Sequence, residues 1–166
     1  TQKKYYKNLF RALNYISLKF KQRIMVSLHP SSIKSFNLIK KKFAQSSNKI
    51  KVSNKRPVDL IKDSSIVLFS ISSAVLNAVI FKKKIISLRS KYFGEYNLKI
   101  NKKNTIGLKC PYIDIDKQIE FSILKMNSEF KKSISSYDSL IKKRLTNGSN
   151  KPSFIEIAEI LKDEKF

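Results

Sequence analysis

The stretch DSSIVLFSISSAVLNAVIFKKKIISL, residues 63–88, decides the fold of this 166-residue chain. It holds an apolar run, then Ser-Ile-Ser-Ser, a second apolar run and, after three lysines, a third. Short apolar runs bounded by turn residues are typical of buried strands, and a longer run that opens with serines is typical of a helix. The stretch therefore predicts a strand over Ser65 to Phe69, a helix over Ser72 to Phe81 and a strand at KKIISL.

Helices and strands also alternate on both sides of this stretch, which predicts an α/β protein with a Rossmann-like, mainly parallel sheet and helices on both faces. Before it, the patterns predict a helix from Lys3 to Phe20, a strand over RIMVSL, a helix over 31–44, a short strand in NKIKVSN and a helix over PVDLIKD. After it, we expect a long loop over RSKYFGEYNLKINKKNTIG, a strand at YIDI, a helix from Asp116 to Ser133 and a helix from Tyr137 to Leu145.

The composition predicts one domain over residues 1–145. TNGSNKPS, residues 146–153, has the composition of a linker, and residues 154–166 form an acidic amphipathic stretch that is expected to pack back on the basic domain. The only cysteine, Cys110, cannot form an internal disulfide, and no Cys/His cluster has metal-ligand spacing. The single cysteine indicates the reducing cytoplasm, and the apolar runs are shorter than a bilayer span. We therefore expect a cytoplasmic protein, with a peripheral location at the inner membrane face as the alternative.

The formal net charge of +23 is unevenly distributed. Residues 1–58 carry 15 Lys and Arg and no Asp or Glu. This part of the surface is expected to face an acidic partner, such as an anionic membrane, a polyanionic glycan or a phosphate. Only five of the 35 basic residues are Arg, the residue favoured for bidentate base and phosphate recognition, so nucleic acid is not the favoured partner.

Two polar features fall at the carboxyl ends of predicted strands. Ser70, Ser72 and Ser73 lie where a strand passes into a helix, and His29 ends the RIMVSL strand. Ligands of open parallel sheets bind at this edge, and phosphates bind at helix amino termini. These features are compatible with a phosphate site, although Ser72 can equally act as a simple helix cap and His29 as a turn cap.

The order of these features resembles the carboxyl-terminal, donor-binding half of GT-B glycosyltransferases. The resemblance is to the polysialyltransferases and related sialyltransferases and to the CDP-glycerol glycerophosphotransferases, which build bacterial surface glycans. It is carried by His29-Pro30, by the later Ser72-Ser73 pair, and by the strand that begins with Lys84. It covers about residues 5–88, with Ser70-Ile71 where those enzymes have Asp-Tyr, and Lys84 where they have proline.

The resemblance implies that a nucleotide-activated sugar of the CMP, CDP or UDP type binds here as donor, with no metal and no other cofactor. His29, Ser72 and Ser73 would contact the donor phosphate. Further nucleotide or sugar contacts implied are Ser70, Asn77, Arg89 and Glu95. The acceptor would be an acidic glycan or a membrane-associated molecule. The catalytic base would belong to an amino-terminal domain that 166 residues are too few to include, so the expectation is part of a transferase.

Two other functions fit the same observations. A nucleotide-sugar epimerase of the GT-B fold would share the architecture, and an assay of free nucleotide as product would separate it from a transferase. A basic RNA-binding module would use a continuous basic face with exposed aromatic side chains, but the sequence has neither an RNP pattern, a GXXG loop nor clustered arginines.

Overall fold

The computed structural model describes residues 2–28, 37, 39–41, 43, 47 and 49–145. Helices and strands alternate along them, which confirms the α/β class. The strands are β1 (Ile24–Ser27), β2 (Ile50–Ser53), β3 (Ile66–Phe69), β4 (Lys84–Arg89) and β5 (Tyr112–Asp114). The helices are α1 (Gln2–Phe20), α2 (Pro57–Asp63), α3 (Val75–Ile80), α4 (Glu95–Gly107), α5 (Ile123–Ser135) and α6 (Tyr137–Leu145), and a 3₁₀ turn spans Lys91–Phe93.

All the strand pairs among these residues are parallel, and they form two small sheets. β1 pairs with β2, while β4 lies between β3 and β5. In a parallel sheet the carboxyl ends of all strands share one edge. The residues that follow β3, β4 and β5 therefore meet at a common rim, which is where sequence reasoning placed the serines.

The two faces of the three-stranded sheet are covered by different helices. Alternation along a strand sends Ile86 to one face and Ile85 to the other, and neither is accessible to solvent. The Ile86 cluster includes α1 and α5 and also takes in side chains of β1 and β2, so it joins both sheets. The Ile85 cluster includes α2, α3 and α6. The result is a three-layer arrangement compatible with a Rossmann-like half-fold.

The expected loop after β4 is wrong, because residues 95–107 form the helix α4. This segment lacks the helical spacing of apolar residues that would have predicted a helix, because the residues that α4 buries, Asn101 and Thr105, are polar. Their polar atoms are satisfied by hydrogen bonds to one another and to Ser87. A helix whose buried side is polar and hydrogen-bonded gives no hydrophobic stripe by which to recognise it.

Two predicted helix starts are also wrong by several residues. α3 begins at Val75 rather than Ser72, with Ala74 before it. α5 begins at Ile123 rather than Asp116, and Ser122 caps it by accepting a hydrogen bond from the Lys125 amide at 3.4 Å. In the first segment Ser72 Oγ accepts a hydrogen bond from the Ala74 amide, and at the start of the second Asp114 accepts one from the Asp116 amide. Such bonds are an alternative to helix that short polar side chains offer the backbone.

Three sequence predictions lie partly or wholly outside the described residues. The helix expected over 31–44 is described at 37, 39–41 and 43 only, where the backbone is helical. The linker at 146–153 and the acidic stretch at 154–166 are outside the described part of the chain.

Candidate functional site

The candidate site is the serine turn, residues 70–73, which follows β3 at the carboxyl edge of its sheet. The side chains of Ser72 and Ser73 are exposed, and Ser70 is half-buried. Ser72 Oγ accepts a hydrogen bond from the Ala74 amide at 3.2 Å, and the Ser73 carbonyl accepts one from the Leu76 amide at 3.0 Å. The turn therefore presents two hydroxyl groups to solvent immediately before α3.

The serine turn is anchored by a hydrogen bond from Asn101, a residue that is inaccessible to solvent. Its side-chain amide donates to the Ser70 carbonyl at 2.5 Å, to Ser87 Oγ at 3.0 Å and to the Leu88 carbonyl at 3.2 Å. One side chain of α4 thus joins the turn after β3 to the body of β4. Sequence reasoning missed Asn101, although the Asn-Thr pair at spacing i and i+4 is the kind of polar signal that could have indicated a buried helix face.

Tyr5 of α1 lies beside the serine turn and against the 3₁₀ turn. Its ring centroid is 5.4 Å from that of Phe93. The pKa of Tyr5 is raised, mainly by burial and also by the neighbouring Tyr6, while the adjacent Ser70 side chain acts in the opposite direction. The phenol is therefore a neutral hydrogen-bonding group at neutral pH, and it covers one flank of the turn.

Asp116 organises the rim on the other side, after β5. Its carboxylate accepts hydrogen bonds from Asn8 Nδ2 at 2.9 Å, from Ser90 Oγ at 3.0 Å and from the Lys91 amide at 2.7 Å. Arg11 of α1 donates to the Ile115 and Lys117 carbonyls at 2.8 and 2.9 Å. These bonds fasten the amino-terminal helix to the carboxyl ends of β4 and β5.

A groove of about 700 Å³ runs between α1 and the segment after β5. Its lining residues are Arg11, Tyr15, Lys19, Asp116, Lys117, Gln118, Ile119 and Glu120. The serine turn is not part of its wall, so the groove and the turn are separate features of the surface.

The structure brings only some of the predicted site residues together. Ser70, Ser72 and Ser73 form one turn, and His29 lies outside the described residues. Asn77 is half-buried within α3. Glu95 is exposed and pairs with Lys99 at 3.0 Å. The guanidinium of Arg89 lies 3.7 Å over the ring of Tyr112 on β5, and its Nε donates to Asn101 Oδ1 at 3.5 Å, so Arg89 reaches the serine turn only through Asn101.

Within the described residues, no group of three or more His, Cys, Asp or Glu side chains is arranged to hold a metal ion. None of the helices described is both long and apolar enough to cross a bilayer.

Comparison with known proteins gives no match: no family model fits the sequence, and no curated protein and no solved structure is significantly similar to it. The function is therefore argued from the residues and their geometry.

Proposed function

We propose that the serine turn binds the phosphate of a nucleotide-activated sugar, and that the chain is the donor-binding part of a glycosyltransferase of surface polysaccharide synthesis. The observation that carries the proposal is the exposed pair of hydroxyls, Ser72 and Ser73, on an anchored turn at the carboxyl edge of a parallel sheet. This edge is where α/β proteins of this architecture bind nucleotides. The order of sequence features that resembles GT-B enzymes points to the same turn.

The phosphate would be held by the turn itself. Among the described residues, no carbonyl or side chain accepts a hydrogen bond from the amide groups of Ser72 and Ser73. Two amides and two hydroxyls are therefore available as donors to phosphate oxygens. α3 has only six residues, so we assign binding to these donors and not to the dipole of the helix. His29, placed after β1 by the sequence, would add a further donor.

The chemical role of this turn would be to stabilise the leaving group. In transfer from a nucleotide sugar, negative charge builds on the departing phosphate, and donors already in place stabilise that charge without reorganising. The other requirement, a general base that activates the acceptor hydroxyl, is not assigned to a residue of this chain. The proposal is thus for donor binding and leaving-group stabilisation.

Calorimetric titration with CMP, CDP and UDP tests the proposal. Ser73→Ala and His29→Ala are each expected to weaken the binding of one of these nucleotides by about 1–3 kcal/mol, because a charged phosphate loses a hydrogen bond. Ser65→Ala is the matched control, since Ser65 is an exposed serine at the opposite end of β3. Equal affinity of the wild-type protein and both site variants would refute the assignment.

We also propose that the acceptor is an acidic glycan or lies at an anionic membrane. The exposed face of α1 supports this proposal, with the basic side chains Lys3, Lys4, Lys7, Arg11 and Lys19 and no acidic residue in the helix. Co-sedimentation with anionic vesicles, with neutral vesicles and with beads that carry an acidic glycan separates the two sources of charge. The triple variant Lys3→Gln/Lys4→Gln/Lys7→Gln should no longer bind the partner, vesicle or glycan, that the wild-type protein binds at low salt. Binding of the triple variant as strong as that of the wild-type protein would contradict a role for α1.

A further inference from the structure

Arg89 has an unusual environment at the carboxyl end of β4, the central strand of the three-stranded sheet. Its guanidinium stacks 3.7 Å over Tyr112, and Nε makes a long hydrogen bond of 3.5 Å to Asn101 Oδ1. Asn101 is itself fixed by three hydrogen bonds. Arg89 is half-buried, and within the described residues no carboxylate lies within 4 Å of it. Its charge is thus held in place without being neutralised.

The nearest candidate counter-ion is engaged elsewhere. Asp114 is the register partner of Arg89 on β5. Its carboxylate accepts the Asp116 amide at 3.1 Å and lies 3.9 Å from Lys117 Nζ. The terminal nitrogens of Arg89 therefore remain available to a ligand, in the planar fork that suits phosphate.

Tyr112 connects this arginine to a basic groove. The ring is 53% exposed, and it lines a groove of about 430 Å³ beside β5 and α5. The other lining residues are Lys109, Cys110, Pro111, Lys125, Glu129 and Lys132. None of the three lysines pairs with a carboxylate within 4 Å in the part of the chain that is described, and Glu129 is the one acidic residue in the lining.

We infer that the Arg89–Tyr112 stack and the lysines of this groove form a second anion site, which binds a small ligand carrying two or more phosphate groups. Several cations around one small groove favour a ligand with clustered negative charge. The volume is within the range of small-molecule sites, which favours a compact ligand over a polymer. The site is distinct from the serine turn, because the groove lies beside β5 and α5 and none of its lining residues belongs to the turn, which follows β3.

Titration with inorganic tripolyphosphate tests this inference, with citrate as a comparison of similar charge. Arg89→Ala should weaken tripolyphosphate binding at least tenfold. Arg89→Lys should restore little, because an ammonium neither stacks on Tyr112 nor presents a fork. Lys125→Gln should weaken binding severalfold, whereas Lys62→Gln, an equal loss of charge at an exposed position on α2, should not. Citrate should bind more weakly. Circular dichroism confirms that each variant is folded.

The results separate this site from the proposed donor site. Ser73→Ala should leave tripolyphosphate affinity within twofold, and Lys125→Gln should leave nucleotide affinity within twofold. Unchanged tripolyphosphate binding in Arg89→Ala, or equal losses in Lys125→Gln and Lys62→Gln, would overturn the inference. Binding of a twelve-nucleotide single strand that is tighter than that of tripolyphosphate and is lost when Tyr112 is replaced would also overturn the inference, because it would assign this surface to nucleic acid.

Discussion

Asn101 connects three parts of the carboxyl rim through one buried amide. Asn101→Ala would leave the buried Leu88 carbonyl and the half-buried Ser70 carbonyl without this donor. An unsatisfied buried group costs about 1–3 kcal/mol, so the free energy of unfolding should fall by at least that amount in urea denaturation. Asn104→Ala, on the same helix but with its side chain outside this network, should change it by less than about 0.5 kcal/mol. Equal losses in the two variants would argue against the role of Asn101.

Cys110 should make stability depend on pH at the alkaline end. Burial raises the pKa of its thiol from 9.0 to about 12. The unfolded chain therefore releases this proton at lower pH than the folded protein does. The stabilising contribution is complete below about pH 9 and declines above it, by up to about 1.4 kcal/mol per pH unit.

Urea denaturation from pH 8 to 10.5 tests this contribution. The difference in unfolding free energy between wild type and Cys110→Ala should be constant up to about pH 9 and shrink above it. The pKa of Tyr137 is also raised, mainly by burial and in smaller part by Cys110, so most of the Tyr137 contribution is common to both proteins. A difference that does not vary with pH would contradict the buried, protonated thiol.

At the scale of the elements, apolar patterns predicted the strands and most helices well. β3, β4, α2 and α6 match their predicted ranges to within a residue or two. The elements whose position depends on polar contacts could not be predicted from the sequence. α4 buries Asn101 and Thr105, and the residues before α3 and α5 form hydrogen-bonded turns instead of a first helical turn. The same limit applies to the site: the serines could be located, but their anchor could not.

Gly94 sets the entry into α4. Its φ is +79° and its ψ 158°, a conformation that only glycine adopts readily. Among the described residues, no atom outside the two chain neighbours of Gly94 lies within 4 Å of an added Cβ, so Gly94→Ala isolates backbone strain from steric clash. We expect a loss of about 1–3 kcal/mol in unfolding free energy. Gly107→Ala, at the end of the same helix, should not destabilise, since alanine favours helix. Equal effects at both positions would contradict the strain.

On the scale of the whole molecule, the Ile85 cluster and the Ile86 cluster lie on opposite faces of the three-stranded sheet. Ile85 and Ile86 are adjacent in sequence and belong to opposite clusters. Ile85→Ala and Ile86→Ala should each lower the unfolding free energy by about 2–5 kcal/mol. If the layers unfold together, each variant should show a single unfolding transition at a lower denaturant concentration than the wild type. Fluorescence and circular dichroism should then give the same midpoint. Two separated transitions would show that the clusters are independent.

The central claim is that the serine turn after β3 receives a nucleotide phosphate, and an NMR titration of ¹⁵N-labelled protein tests it most directly. With CMP, CDP or UDP, the amide signals of Ser72 and Ser73 should shift and saturate with the same dissociation constant. The signal of Ser65 at the opposite end of the strand should stay in place, and Ser73→Ala should move the midpoint to higher nucleotide concentration. Saturable shifts that leave the serine turn unchanged, or the absence of any saturable shift with all three nucleotides, would contradict the account.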